Sequence, residues 1–184
     1  MSRRRPRHAQ SVRHAKTTVL AVGEGDSEEA FLRYLKGLYA PRQSGVAVTV
    51  RNARGKGPQH VIDYAIGQAG ARAGGYDLAA ALIDTDLDCP PTYRRKAKRH
   101  QLQLVWSEPC FEGLLLAILD QHVPSQSSDC KKRFDHQYGI NRYDPEAYAA
   151  LFPRERLEER RHDLPCLNAL CALMEGMPQS EARS

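Results

Sequence analysis

The sequence predicts an open, parallel α/β sheet of about four strands flanked by helices, with a mostly helical C-terminal extension. Three observations carry this. Short apolar runs alternate with stretches of helical periodicity. The connections between them are short enough for parallel crossovers. The run Leu78-Ala-Ala-Ala-Leu-Ile83 is nearly continuous in apolar character, as a strand covered on both faces must be.

Taken in order, Thr17–Val22 is a β-branched, apolar run that predicts the first strand. Gly23-Glu-Gly-Asp-Ser27 breaks it, and Asp26 with Glu29 three residues on resembles a capping box. Phe31, Leu32, Leu35 and Leu38 then follow the 3, 4, 7 spacing of a helix face over residues 28–38. Alternating Val46, Val48 and Val50 predict a second strand over residues 45–51. Pro58 is placed to open a helix over residues 59–72. The third strand is the run ending at Asp84. A basic helix or loop over residues 93–100, a fourth strand at 102–106 and a helix at 111–119 complete the alternation. Beyond Val123 the pattern fades. Residues 124–137 read as polar, and residues 144–151 and 154–177, broken at Pro165, read as helical. The expected organisation is therefore a basic leader (1–16), an α/β core (17–122) and a helical extension of the same domain (123–184).

Composition narrows the function classes. A chain of 184 residues can bury an ordinary core without staples. With 41% hydrophobic and 27% charged residues it fits a globular protein. The formal charge is +5, but residues 1–16 hold six cations and no acid; the rest has 21 cations against 22 acids. The chain is a near-neutral body with a basic leader. No apolar run is long enough for a membrane span, and no signal-peptide pattern follows the leader arginines. Five widely spaced cysteines without a CxxC pair argue against a zinc ribbon or disulfide framework and for a reducing cytoplasm. Arg54-Gly-Lys56-Gly57 lacks the P-loop spacing, which argues against ATP hydrolysis in this chain.

The acids fall where an open parallel sheet gathers its ligands, past the carboxyl ends of strands. Glu24 follows the first, Asp84, Asp86 and Asp88 leave the third, and Glu108 and Glu112 follow the fourth. Clustered carboxylates repel unless a cation sits among them. Mg²⁺ or Mn²⁺ suits such oxygen donors, and two ions about 4 Å apart would clamp the oxygens of a phosphodiester. Around this centre, Arg54, Lys56, Arg94, Arg95, Lys96, Lys98 and Arg99 are candidate phosphate contacts.

Val22-Gly-Glu24-Gly-Asp-Ser-Glu28-Glu-Ala-Phe31, Leu82-Ile-Asp84-Thr-Asp86-Leu-Asp88 and Ser107-Glu-Pro109-Cys-Phe-Glu112 together resemble the RloB-like proteins. That group belongs to the TOPRIM (Rossmann-like) superfamily, near the nucleases of the overcoming-lysogenization-defect type. The likeness spans roughly residues 15–120, and Pro-Cys-Phe-Glu is its most discriminating piece. The resemblance implies that Glu24 is the motif glutamate, a metal ligand or general acid/base. It implies that Asp84 and Asp86 hold the ions, with Asp88 in support. Glu28 matches the second glutamate of the nuclease branch's ExxxE form, and Glu112 matches the acid of its Ser-x-Glu motif. Cys110 stands in place of that serine. A downstream lysine stabilises phosphate charge in that branch, and Lys131 and Lys132 are the candidates here. The resemblance further implies a Mg²⁺- or Mn²⁺-dependent nuclease in a prokaryotic defence or restriction system, with a separate ATPase as partner. Two other readings stand beside it: a different metal-dependent phosphoryl-transfer enzyme using the Asp84-Thr-Asp86 pair, and a non-catalytic nucleic-acid-binding or sensor subunit. Against a dehalogenase-like phosphatase, the position after the first strand holds Glu24 rather than a nucleophilic aspartate.

Overall fold

The computed structural model describes residues 16–178. The basic leader, Lys16 excepted, lies outside the described residues, as do residues 179–184.

Four parallel strands, β1 (Thr17–Gly23), β2 (Val46–Asn52), β3 (Leu78–Asp84) and β4 (Leu102–Ser107), form one sheet in the order β2-β1-β3-β4. The connecting helices are α1 (Asp26–Tyr39), α2 (Gly57–Ala71) and α3 (Pro91–Arg99). After β4 come α4 (Phe111–Ile118), α5 (Ser127–Tyr138), a 3-10 turn at Pro145–Tyr148, α6 (Arg154–Arg160) and α7 (Pro165–Met174). The predicted α/β class and strand count hold.

Strand periodicity divides the core in two. Val19 and Ala21 of β1 face a core built with α1, α4, α5 and α7, while Leu20 and Val22 face α2 and α3. The extension is thus packed into the first of these layers. Its Tyr148 and Phe152 are fully buried around Phe31, with ring centroids 5.2 and 5.8 Å away. Burying a side chain of this size is worth about 1.5–3 kcal/mol.

Three local expectations change. Helix α1 is capped one residue earlier than the Asp26–Glu29 pairing implies: the Gly25 N–H donates to Glu28 Oε2 at 3.2 Å, while Glu29 bonds Arg33. Residues 145–148 form a 3-10 turn in place of a longer helix, opened by Pro145 and capped by Asp144, which accepts from the Glu146 N–H at 3.0 Å. Residues 127–138, read as merely polar, form α5. Its apolar stripe is narrow, with Cys130 and Phe134 buried and Tyr138 packed beside them, one residue per turn.

Candidate metal centre

The chain leaves β1 to α1 and β2 on one side, and β3 leads to β4 on the other, so the switch point of the sheet lies between β1 and β3. Glu24 follows directly on β1, and Asp84 is the last residue of β3. The two acids therefore stand on either side of that crevice. Gly23 lets α1 begin close over the strand: a Cβ there would come within 2.8 Å of Glu28 Cβ. That closeness brings Glu28 to the same edge.

The loop before α2 wraps Glu24. The Gly55 N–H donates to the Glu24 carbonyl at 2.7 Å, and the Gly57 N–H favours the Glu24 carboxylate. Four successive residues, Arg54 to Gly57, have φ between 62° and 79°. For Arg54 and Lys56 this left-handed backbone is strained, and it exposes both cations beside the acid. Asp84 is held by Ser107, its register partner on β4, whose Oγ donates to Asp84 Oδ1 at 2.7 Å. The loop carrying Asp86 is pinned by its own backbone, the Asp86 N–H donating to the Pro109 carbonyl at 3.1 Å.

Electrostatics couple these groups. Burial pushes the Asp84 carboxyl up to about 7; the Ser107 hydrogen bond opposes this, and the charges of Glu28, Glu24 and Asp86 add to it. Burial likewise raises Glu24, where Gly57 opposes and Asp86 adds. Burial also raises Glu28, to which Glu112 and Glu24 add. At Lys131 burial favours the neutral form, but Glu112, Cys110, Asp84 and Asp86 outweigh it and raise the ammonium's pKa. Lys131 thus faces the acids, whereas the exposed Lys132 pairs loosely with Asp129 at 3.8 Å. The charge of Asp88 is felt at Cys89.

Glu112 is 4% exposed and its Oε1 accepts a charge-assisted hydrogen bond from Arg142 Nη1. Cys110 caps the same helix and is buried; desolvation pushes its thiol up to about 12, so it is no ready nucleophile. The remaining cations divide. Arg94 stacks on Trp106, and Lys96 pairs with Asp63 at 2.8 Å. Arg95, Lys98 and Arg99 are exposed, but α3 runs back along the sheet, so Lys98 and Arg99 approach the start of β4, away from the carboxylate edge.

Two site residues carried no role in the sequence reading. Ser107 had a signal, a polar residue at the end of an apolar strand. Arg142 had none, lying 30 residues from Glu112 in a polar stretch.

The donors suit a hard cation: carboxylate oxygens whose mutual repulsion is only partly relieved. Among the described residues, no three His, Cys, Asp or Glu side chains already stand as a finished ligand set. The acids are near enough to perturb one another.

The family model for RloB-like proteins matches residues 19–171. This chain belongs to the RloB-like family. The match runs beyond residues 15–120 into α7, so helix α5 with Lys131 and the turn with Arg142 lie within the matched region. No curated protein and no solved structure matches the chain. Among the described residues no helix is long and apolar enough to cross a membrane, and all five cysteines are free.

Proposed function

We propose that this RloB-like protein is a metal-dependent nuclease that hydrolyses phosphodiester bonds in DNA or RNA. The observation that carries this reading is the approach of Glu24 and Asp84 across the sheet's switch point, with Glu28 and Asp86 adding negative charge. This fits the TOPRIM relationship that the sequence motifs imply.

A bound Mg²⁺ or Mn²⁺ would supply Lewis acidity at the phosphate and acidify a water. Glu24, Asp84 and Asp86 would hold it, with Glu28 in support. Ser107 fixes which oxygen of Asp84 is free, since Oδ1 is already engaged. Lys131 faces the same acids and can carry charge on the phosphate. Arg54 and Lys56, exposed beside Glu24, grip flanking phosphates. The RloB-like resemblance also suggests a separate ATPase partner in a defence or restriction system.

A second reading, a non-catalytic nucleic-acid-binding subunit, draws on the lack of a finished ligand set among the described residues and on the neutralised Glu112. One experiment separates the two. Purified protein is incubated with DNA, total RNA and tRNA in Mg²⁺ or Mn²⁺, beside Asp84→Asn. Cleavage by the parent and none by the folded variant is expected. Binding without cleavage by both favours the second reading.

A further inference from the structure

Two ions are the expectation drawn from the acid pattern, and the RloB-like resemblance makes Glu112 a further metal ligand. The surroundings of Glu112 point elsewhere. Its carboxylate is almost wholly shielded from water, and one oxygen is taken by the Arg142 guanidinium. That guanidinium is itself gripped from the other side by Asp135, through Nε to Oδ1 at 3.2 Å and Nη2 to Oδ2 at 3.4 Å. Its backbone is anchored too. The Tyr148 hydroxyl approaches the Arg142 carbonyl at 2.9 Å and the Ser27 carbonyl at 3.2 Å, and the Tyr148 ring is sealed in the aromatic cluster around Phe31. Ser27 adjoins Glu28, so the Arg142 segment is fastened to the helix that carries a site acid.

We infer that the site is built for one divalent ion, with Arg142 as the permanent second cation; this rests on the metal-dependent reading above. A guanidinium keeps its charge at any working pH and cannot be exchanged as a solvent ion can. A second divalent ion at Glu112 would have to break the Arg142 bond and set its charge against a fixed positive group. It would also leave the arginine's remaining charge only partly compensated by Asp135 in a half-buried position. Among the described residues, Glu24, Asp84 and Asp86 form no ion pair like that of Glu112. The cations near them, Lys131 and the loop residues Arg54 and Lys56, are exposed side chains. Arg142 is accordingly a positioning residue: it orients Glu112 and offsets its charge, leaving the ion to the other acids.

The test is Mn²⁺ binding to the full chain, counted by calorimetry and by loss of the free-ion electron paramagnetic resonance signal. The parent is expected to take up about one ion per chain. Glu112→Gln keeps an oxygen acceptor for Arg142 and is expected to change affinity by less than about threefold, while Asp84→Asn loses about tenfold or more. Arg142→Lys, which keeps a cation in place, is expected to hold the count at one. Two ions in the parent, or a tenfold loss of affinity in Glu112→Gln, would overturn the inference while leaving the metal-dependent reading intact. No Mn²⁺ uptake by the parent would overturn both. Because the parent and Glu112→Gln decide the matter, the outcome does not depend on an arginine deletion that fails to fold.

Discussion

Ser107 and Asp84 sit side by side on neighbouring parallel strands, and the buried Ser107 hydroxyl donates to Asp84 Oδ1 at 2.7 Å. The same hydroxyl lies 3.2 Å from the Ile83 carbonyl. The strand pairing therefore sets the direction of the site's most buried aspartate. Removing the hydroxyl frees the carboxylate to rotate and withdraws a bond that favours its charged form. Ser107→Ala should weaken Mn²⁺ binding by about 10-fold or more, with a stability loss of about 1 kcal/mol. Calorimetric titration and urea unfolding read the two effects separately.

Arg54 and Lys56 stand on the left-handed loop around Glu24, whereas Lys96 is occupied by Asp63. If the loop cations meet phosphates, Arg54→Ala with Lys56→Ala should reduce the slope of log affinity against log salt by roughly 1–2, the signature of lost phosphate contacts. Lys96→Ala should leave that slope unaltered. Fluorescence anisotropy with a labelled oligonucleotide at several salt concentrations gives the comparison.

Gly113 lies under the turn that leads into α4. A Cβ there would sit 2.8 Å from Pro109 Cδ and 2.9 Å from the Glu108 carbonyl oxygen, and neither neighbour has a flexible end to move. Gly113→Ala should destabilise the protein by about 1–3 kcal/mol through overpacking. Chemical denaturation measures it. A variant as stable as the parent would show that the turn yields.

At the opposite edge of the sheet, Asp77, just before β3, ties that strand into register with β1. The Thr18 N–H and hydroxyl are each 2.7 Å from Asp77 Oδ2. These bonds, the backbone one first, hold the Asp77 carboxyl below its ordinary range. A depressed folded-state pKa gives stability that is present above the unfolded value and lost as pH falls through the folded one. Asp77→Asn should therefore be less stable than the parent near neutrality, with the gap narrowing below about pH 4 as the parent's own carboxylate protonates. Urea midpoints across that range check the sign.

How legible each element was depends on how many residues announced it. β1 to β4 and α1 were readable because several apolar side chains share one face, and burial on the sheet demands that pattern. Helix α5 rests on a single apolar residue per turn, too narrow a stripe to stand out in a polar run. Glu24, Asp84 and Asp86 were legible as a group because each stands at or just past a strand's carboxyl end, and parallel strands end at one edge. That α3 carries Lys98 and Arg99 toward the other edge follows from the direction of a crossover helix, which composition does not contain.

The near-neutral body, the absence of metal-binding cysteine pairs, the strand-end acids and the RloB-like motifs were all fixed by residue order, since they rest on local spacing. The identity of Glu112's partner was not. Arg142 reaches it only because Tyr148 and Phe152 bury themselves against Phe31, folding the later helices back over the first. A contact between residues 30 apart is set by how whole faces pack, and a buried carboxylate takes whichever cation that packing delivers.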